Sequence, residues 1–314
     1  MKNSSLALAT GLRGERTDDP SGRSFEAAGH GDDAARARQP MAADARPPVL
    51  RLLAEIDWRE LAQSWTVRLL ALSAGVALWH LACSFKLNFF IRFDNVPGPL
   101  VVWNALVRHL HEAKFYVHIL VSIKRILIGF GLATTIGICL GLVMGRSRIA
   151  RDVVTPYIEI LRPIPAVAWI PLAILMWPTE ESSIVYITFL GALFPIVLNT
   201  VHGVQQTPEV LVRAAQSLGA SRLHIFWHVV TPAALPSIAT GLAIGMGVAW
   251  FSLLAGEIIS GQYGIGYFTW NAYSLINYPD IVVGMLMIGG LGTLSTLAVR
   301  LLTRPFVAWQ RRSR

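Results

Sequence analysis

The sequence predicts an all-α protein that crosses a membrane with about six transmembrane helices. Of its 314 residues, 54% are hydrophobic and only 15% are charged, and the mean hydropathy is +0.51. Soluble domains carry about 25% charged residues, so this deficit of charge indicates a lipid environment. The apolar segments have roughly the ~20 residues that a helix needs to cross the hydrocarbon core. The basic residues gather in alternate loops, which is typical of a chain that crosses a bilayer repeatedly.

The first 48 residues differ in composition from all that follow. They are rich in Arg, Asp, Gly, Ala and Pro and hold few large apolar residues, so they cannot bury enough surface to offset their ordering entropy. We therefore expect residues 1–48 to be a disordered cytoplasmic tail. Residues 49–67 space their apolar side chains helically, which predicts an amphipathic helix on the membrane surface. The transmembrane domain is then expected at 68–303, followed by a basic cytoplasmic C-terminus at 304–314.

Six apolar segments of spanning length follow the surface helix. They lie at 69–85, about 126–144, 153–177, 184–201, 238–258 and 281–302, and the third is interrupted by prolines. In the second segment, Gly137, Gly141 and Gly145 recur every fourth residue. Such small residues let helix backbones approach closely. Two uses of this glycine face are open: tight packing within one subunit, or dimerisation.

The arginines orient these spans. The short loop 145–151 carries three arginines and the C-terminal end carries five from Arg300 onward, whereas 178–183 and 259–279 contain neither Lys nor Arg. Because positively charged loops stay in the cytoplasm, both termini are expected there, on the inner side of a bacterial inner membrane. Residues 86–125 disagree, since they place six basic residues on the predicted outer side. Part of that stretch is expected to form an interfacial helix.

Several residues are candidates for lining a solute pathway. Pro163, Pro165 and Pro171 interrupt the third segment. Broken backbone at membrane depth is tolerated where it lines a cavity, although a simple interfacial kink is an equal alternative. Glu257 is a rare intramembrane carboxylate and so a functional candidate, the alternative being a structural role in a gate region. Arg162 suits an oxyanion but also fits a snorkelling interfacial residue. The remaining candidates are Asn199, Trp250, Trp270 and Asn271, although aromatic residues near the outer interface are usually belt residues.

The stretch between the fourth and fifth segments predicts a docking loop. Pro208 suits a first helical turn, the Ala-rich residues after it favour a helix, and Gly219 is a suitable stop. A second, amphipathic helix is expected from Leu223 to the prolines at 232 and 236. Two short ordered helices joined at Gly219, outside the bilayer, indicate a surface on which another protein docks.

This loop resembles the signature of binding-protein-dependent ABC importer permeases. The signature reads Glu-Ala-Ala, three residues, Gly, nine residues, then Ile-x-Leu-Pro. Four residues fall in register, and Arg213 stands in place of the Glu. In that family the loop is the coupling helix, which contacts a cytoplasmic ATP-binding subunit. The resemblance implies that contact for Arg213, Ala214, Ala215, Leu218, Gly219 and Pro232.

Other stretches resemble one branch of that family. Residues 162–171 are similar to a run found in nitrate, sulfonate, taurine and bicarbonate permeases, and 122–131, 255–257 and 264–268 fit the same group. The resemblance covers roughly 65–310. It implies the type I ABC importer architecture and import of a small solute, an anion of this kind, by alternating access. It also implies an ATP-binding subunit that holds ATP and Mg, a periplasmic substrate-binding protein and a second permease copy, most simply as a homodimer. No cofactor is expected in this chain.

The sequence lacks the motifs of several enzyme classes. None of its four lysines follows a glycine or precedes Ser or Thr, so it has no phosphate-binding P-loop. It also has no Gly-x-Ser-x-Gly elbow, and we do not expect an enzyme. His224 and His228 have the spacing of metal ligands, but no third ligand accompanies them, which favours docking or packing over a metal site. No nucleic-acid partner is expected.

Two other classes remain as alternatives. An ATP-independent secondary carrier would lack the docking loop, and its uptake would survive loss of every ATP-binding protein. A membrane-embedded enzyme or its haem-carrying anchor would need histidines that face one another in the spans. Only His80 and His202 lie in or beside the predicted segments, which argues against this second alternative.

Overall fold

A computed structural model describes residues 58–85 and 95–307. The expected tail at 1–48, the first part of the surface helix expected at 49–67 and the last seven residues of the C-terminus lie outside the described residues. The chain divides into an N-terminal unit, Met1–Val67, and a second unit, Arg68–Arg314. All regular structure in the described ranges is helical, so the predicted all-α class is confirmed.

The helices of the described residues are numbered here in chain order. They are α1 Trp58–Ser84, α2 Pro99–Leu110, α3 Ala113–Arg146, α4 Arg148–Leu161, α5 Ile170–Met176, α6 Glu180–Gln205, α7 Glu209–Ser217, α8 Arg222–Ile225, α9 Thr231–Ser260, α10 Ile265–Ser274 and α11 Tyr278–Thr303. A 3₁₀ turn, Ala166–Trp169, precedes α5, and a π turn, Phe226–Val230, joins α8 to α9.

Five stretches are long and apolar enough to cross a membrane. They are Trp65–Ser84, Ala113–Arg146, Glu180–Gln205, Arg222–Ile259 and Tyr278–Val307. The pair Arg148–Leu161 and Ala166–Met176 also qualifies, but its two halves are bent by 86°. The prediction of about six spans is therefore confirmed, with the third span broken.

Two helix boundaries differ from the predicted segments. α1 is Trp58–Ser84, so it begins before residue 69, where the first span was predicted to start. α3 begins at Ala113 instead of near 126. The two basic residues Lys124 and Arg125 limit the predicted apolar segment at its start. The helix nevertheless extends through them, because Arg125 is buried among partners. α2 supplies a helix within the basic stretch 86–125, and its interfacial position stays a prediction.

α6 lies at the centre of the second unit, with α3 on one side and α9 on the other. A Cβ atom added at Gly141 would lie 2.5 Å from the Cβ of Thr200, and one at Gly137 would lie 2.9 Å from the Cγ2 of Ile196. The glycine face of α3 therefore packs against α6 of the same chain. Of the two uses left open by the sequence, packing within one subunit is the one that the structure has.

The break in the third span lies between α4 and the 3₁₀ turn. α4 ends at Leu161, and Pro163 and Pro165 follow, neither of which can donate a backbone hydrogen bond. Pro171 has a different role from the one predicted, because it stands in the first turn of α5, where proline is well tolerated. It starts a helix rather than interrupting one.

The order of the helices defines two ends of the bundle. α6 runs from Glu180 to Gln205, and α9 returns after α7 and α8, so α7 lies at one end. Glu180, Ser260 and the start of α10 belong to the other end. At 1.5 Å per residue, the 30 residues of α9 separate the two by about 45 Å. We refer to them as the α7 end and the α10 end.

Candidate functional site

The loop at the α7 end is an ordered helix–turn–helix. Gly219 follows α7 with φ of +79°, a left-handed conformation that suits glycine. A Cβ added there would meet nothing within 4 Å, so backbone conformation, and not space, requires the glycine. The Ser221 side chain then accepts a hydrogen bond from the His224 N–H at 3.3 Å and caps the start of α8. The turn predicted at Gly219 is thus present.

The second helix of the loop does not end at the prolines, which corrects the sequence-based prediction. α8 passes through the π turn into α9, and the N–H of Thr231 bonds to the carbonyl of Phe226, five residues earlier. Pro232 stands in the first turn of α9, where its missing N–H costs little. One helical rod of 38 residues, Arg222–Ile259, therefore joins the loop to the α10 end, over about 57 Å.

The outer face of the loop carries several exposed apolar side chains among polar ones. Leu218 is 88% exposed, and Ala214 beside it is exposed as well. Ala215 points the other way and packs on the buried cluster that contains Ile225 and Val230. The other exposed large apolar side chains of the loop are Val210, Leu211, Leu223 and Trp227. A group of exposed apolar side chains on an ordered loop is typical of an interaction surface.

Arg213, which stands where the signature has a Glu, pairs with a carboxylate one turn earlier. Its Nη2 donates to Oε2 of Glu209 at 2.6 Å along α7. Their side chains are 76% and 80% exposed, so the pair contributes little to stability. The surface of α7 nevertheless keeps a carboxylate beside the side chain of residue 213, supplied by Glu209.

A buried charge network lies at the α10 end. Arg125 of α3 is 2% exposed. Its Nη1 donates to Oε1 of Glu257 at 2.9 Å and to the carbonyl of Tyr263 at 2.6 Å. Its Nε donates to Oε2 of Glu181 at 2.9 Å, and its Nη2 binds the other oxygen of that carboxylate. One guanidinium therefore joins α3, α6, α9 and the turn that precedes α10.

The same network binds the first N–H groups of α10, which have no partner within the helix. Each of three consecutive N–H groups donates to a buried side chain: Gly264 to His118 Nδ1 at 3.1 Å, Ile265 to Ser122 Oγ at 2.9 Å, and Gly266 to Glu257 Oε2 at 2.9 Å. The Ser122 hydroxyl in turn donates to Glu257 Oε1 at 2.8 Å. A carboxylate at a helix N-terminus is also favoured by the helix dipole.

Two glycines make this approach of Glu257 possible. Gly264 has φ of +120°, and a Cβ there would overlap the Glu257 carboxyl group. A Cβ at Gly266 would lie 2.9 Å from the Cβ of Glu257. The glycines of the stretch 264–268, singled out in the sequence, are therefore required by this contact.

A second polar cluster fastens α2 to the start of α11. Arg108 Nη2 donates to Asp280 Oδ1 at 3.0 Å, and Asn277 Nδ2 donates to Asp280 Oδ2 at 2.6 Å. The ring of His109 lies between two carboxylates, with Nδ1 3.0 Å from Glu112 and Nε2 3.0 Å from Asp280. These contacts fix the outer helices to each other at the α10 end.

The candidate pathway residues lie on separate elements. Arg162, Pro163 and Pro165 are exposed in the turn after α4. Asn199 on α6 donates from Nδ2 to the carbonyl of Pro195 at 2.8 Å. Trp250 and Glu257 on α9 are both buried, the first in the hydrophobic core and the second in the charge network. Their part in a pathway stays a prediction, whereas Glu257 has the structural contacts that the alternative interpretation required.

Sequence reasoning missed Ser122, Arg125 and Glu181 as members of this site. Arg125 adjoins a segment predicted to begin at 126 and was therefore assigned to a loop. A usable signal was present, because charged residues inside a membrane protein pair with one another. Glu257 needed a basic partner, and Arg125 is the arginine that stands one helical turn after Ser122 on the same face of α3.

The histidines with metal-ligand spacing stack on each other. The rings of His224 and His228 have centroids 3.9 Å apart, and His228 Nδ1 lies 3.1 Å from the carbonyl of His224. Within 58–85 and 95–307, no group of three or more His, Cys, Asp or Glu side chains could hold a metal ion.

Comparison with known proteins adds a second line of evidence. Residues 134–312 match the family described as the binding-protein-dependent transport system inner membrane component. The chain is 31% identical to the nitrate import permease protein NrtB of Synechocystis sp., over 71% of this chain and 82% of that protein. It is 31% identical to the taurine transport system permease protein TauC of Escherichia coli, over 81% and 94% of the two chains. It is 30% identical to the bicarbonate transport system permease protein CmpB of Synechococcus elongatus, over 81% and 91%.

Proposed function

The chain belongs to the family of binding-protein-dependent transport system inner membrane components, the permeases of ABC importers, and we propose that it carries a small anion into the cytoplasm. Three relatives are named for nitrate, taurine and bicarbonate. Nitrate and bicarbonate are anions and taurine carries a sulfonate, so an oxyanion group is common to all three. That shared chemistry supports an oxyanion as the solute class.

The observation that carries the proposal of ATP-driven transport is the α7 loop. We infer that α7 docks on an ATP-binding subunit, which holds ATP and Mg, while this chain holds no cofactor. The exposed Leu218 offers the apolar centre of such a contact, and the Glu209–Arg213 pair offers a polar rim. Gly219 sets the angle between α7 and α8, because its left-handed backbone turns the chain there.

The helical rod supports a route from this docking site to the α10 end. A displacement of α7 moves the rod Arg222–Ile259, which carries Glu257 near its far end. Glu257 is bonded to Arg125 and to the N–H of Gly266, so α10 moves with the rod. Rigid-body movement of packed helices is a common way to switch between two states. Closure of two ATP-binding subunits would in this way produce alternating access.

We propose that the α7 end and both termini face the cytoplasm of a bacterial inner membrane. Arg146 at the end of α3, and Arg148 and Arg151 at the start of α4, lie at the α7 end, whereas residues 261–278 at the α10 end include neither Lys nor Arg. A periplasmic substrate-binding protein would then deliver the solute at the α10 end. A second copy of this chain would complete the pathway.

ATP-driven uptake tests this function directly. Vesicles would be reconstituted with this chain, an ATP-binding subunit and a substrate-binding protein, and tested with labelled nitrate, taurine and bicarbonate. We expect uptake of one of these solutes that requires ATP on the α7 side and is lost in Gly219→Pro. Equal uptake without ATP, driven by an ion gradient, would identify a secondary carrier instead.

A further inference from the structure

A groove runs between α9 and α11 on the membrane-spanning surface of the chain. Its volume is about 1260 Å³, and it extends along α9 from Pro236 to Gly247. Pro236 lies five residues and Gly247 sixteen residues after the start of α9 at the α7 end. The groove is therefore about 17 Å long, and its far end lies about 24 Å from the start of α9, which is well into a hydrocarbon core of about 30 Å.

The lining of this groove is half polar and carries charge of one sign. Arg300 and Arg304 of α11 supply two guanidinium groups, and no acidic side chain is among the described residues that line it. Neither arginine forms an ion pair with any residue in the described ranges. Hydroxyl groups make up most of the remaining polar lining, from Ser237, Thr240, Thr296 and Thr303.

Lipid tails are a poor occupant for such a groove. Charged side chains in a membrane protein face a water-filled cavity or a partner charge, because hydrocarbon cannot solvate them. Three of the hydroxyls already donate to carbonyls of their own helix, as Thr240 does to Pro236 at 3.0 Å, Thr296 to Gly292 at 2.9 Å and Thr303 to Val299 at 2.9 Å. The guanidinium groups and the Ser237 hydroxyl are therefore the donors of this lining that remain for a ligand.

The glycine at the deep end leaves the groove open. A Cβ added at Gly247 would meet nothing within 4 Å, in contrast to Gly241 on the same helix, where a Cβ would lie 2.6 Å from the Cβ of Asn199. Gly241 allows close packing against α6, whereas a Cβ at Gly247 would contact none of the residues that the structure describes. The empty side of Gly247 continues the groove towards the middle of the membrane.

We propose that this groove is a water-filled route in which Arg300 binds an oxyanion on its way to the α7 end. Arg300 lies one turn deeper along α11 than Arg304, which stands at the end of the helix. A guanidinium matches an oxyanion with two parallel donors, and a cleft lined by one sign of charge concentrates ions of the other sign. The inference rests on the proposed function for the direction of movement. The same chemistry would also bind the phosphate of an anionic lipid, and the test separates the two sources.

The test measures which reagents reach the groove in the full complex with the ATP-binding subunit. Cys83 and Cys139 are the chain's two cysteines, and both are first replaced by alanine. Thr303→Cys and Thr240→Cys then report from the groove, and Thr135→Cys, an exposed position on α3, is the matched control. Each is treated with sulfonatoethyl methanethiosulfonate, an anion, or trimethylammonium-ethyl methanethiosulfonate, a cation. Labelling of this chain is followed by its mass.

Each rate is divided by the rate of the same reagent with a small free thiol, and we expect both groove positions to react, with the anionic reagent faster on this scale by on the order of tenfold. This ratio should fall to about one when Arg300→Gln is added, and it should persist with Arg300→Lys or with Arg148→Gln at the first residue of α4. Thr135→Cys should react with neither reagent. Equal normalised rates for the two reagents in the cysteine variants that keep Arg300 would overturn the oxyanion route.

Two further outcomes would also overturn it. Absence of reaction at both groove positions would mean that lipid or a second copy fills the groove. Protection that grows with the fraction of phosphatidylglycerol in the membrane would assign Arg300 to a lipid headgroup. These results report on the groove alone, whereas ATP-driven uptake and copurification of the ATP-binding subunit report on the proposed function, so failure of the one is distinct from failure of the other.

Discussion

Arg125 and Glu257 form an ion pair in which each side chain is 2% exposed, with Nη1 2.9 Å from Oε1. The pair joins α3 to the far end of the rod that begins at the α7 loop. Buried ion pairs are weak evidence for stability in themselves, because desolvation offsets most of their attraction. Removing one partner has a larger effect, since it leaves the other charge buried and uncompensated.

The first prediction follows from this asymmetry. Arg125→Ala leaves Glu257 buried beside Ser122 without its cation, and should lower the free energy of unfolding by about 3–5 kcal/mol. Glu181→Ala removes the more exposed partner, whose side chain is 60% exposed, and should cost about 1 kcal/mol or less. Thermal unfolding of the two variants in the same detergent checks the order. Equal melting temperatures for Arg125→Ala and the unaltered chain would refute the role given to the pair.

A second prediction concerns the glycine beside Glu257. Gly264→Ala should fail to fold properly, because its φ of +120° is unfavourable for a side chain and the new Cβ overlaps the Glu257 carboxyl group. The matched variant is Gly247→Ala, which meets nothing within 4 Å. The two variants are compared by their yield of monodisperse protein after solubilisation. A normal yield for Gly264→Ala would mean that α10 is not held as described.

The glycine face of α3 gives a third prediction, in which two substitutions on one helix have opposite signs. Gly141→Ala places a Cβ 2.5 Å from the Cβ of Thr200 and should cost about 1–3 kcal/mol through overpacking. Gly131→Ala has nothing within 4 Å and should gain up to about 1 kcal/mol from helix propensity. Unfolding of both variants in detergent gives the comparison. If both shift stability in the same direction, α3 and α6 do not pack through this face.

The fourth prediction addresses the turn of the α7 loop. Gly219→Ala should cost about 1–2 kcal/mol, because an L residue disfavours the left-handed conformation, and Gly219→Asn should cost less. Gly219→Pro should abolish transport, since proline can neither adopt φ of +79° nor donate the bond from residue 219 to the Gln216 carbonyl at 2.9 Å. Uptake and membrane insertion are measured together. Full uptake by Gly219→Pro would contradict the proposal that the α7 loop couples the chain to the ATP-binding subunit.

A fifth prediction separates the apolar and charged contacts of α7. Leu218→Asp should abolish binding of the ATP-binding subunit, because it places a charge at the centre of an apolar contact. Glu209→Ala and Arg213→Ala should change that binding less than about fivefold, since exposed ion pairs contribute little. Titration of the detergent-solubilised chain with the purified ATP-binding subunit gives the affinities. A larger loss of binding in Glu209→Ala and Arg213→Ala than in Leu218→Asp would mean that the ion pair, and not Leu218, is the main docking contact.

The sequence was sufficient for features that a short stretch determines by itself. Span number follows from the length of apolar segments, the turn at Gly219 follows from glycine's conformational freedom, and the break after α4 follows from Pro163 and Pro165. Each depends on neighbouring residues in the chain. The glycine spacing in α3 likewise predicted close packing, although it left two possible partners open.

The remaining features depend on which helix faces meet. Hydropathy placed Arg125 outside the second segment, because averaging over a window penalises a charge whether or not it has a partner. Its partners Glu181 and Glu257 lie 56 and 132 residues away, so no pattern within one segment could join them, and the one signal was that an intramembrane carboxylate needs a basic partner. The course of the rod through Pro232 was also missed, because a π turn changes the backbone bonding just where the proline cannot donate.

Copurification of the tagged chain from gently solubilised membranes, with partners identified by mass spectrometry, is the most direct test of the proposed function. The unaltered chain and Leu218→Asp would be compared after thermal unfolding has shown that both are folded. We expect an ATP-binding subunit and a substrate-binding protein with the unaltered chain, and loss of the ATP-binding subunit with Leu218→Asp. Recovery of neither partner, together with uptake that persists without any ATP-binding protein, would show that the chain is a secondary carrier.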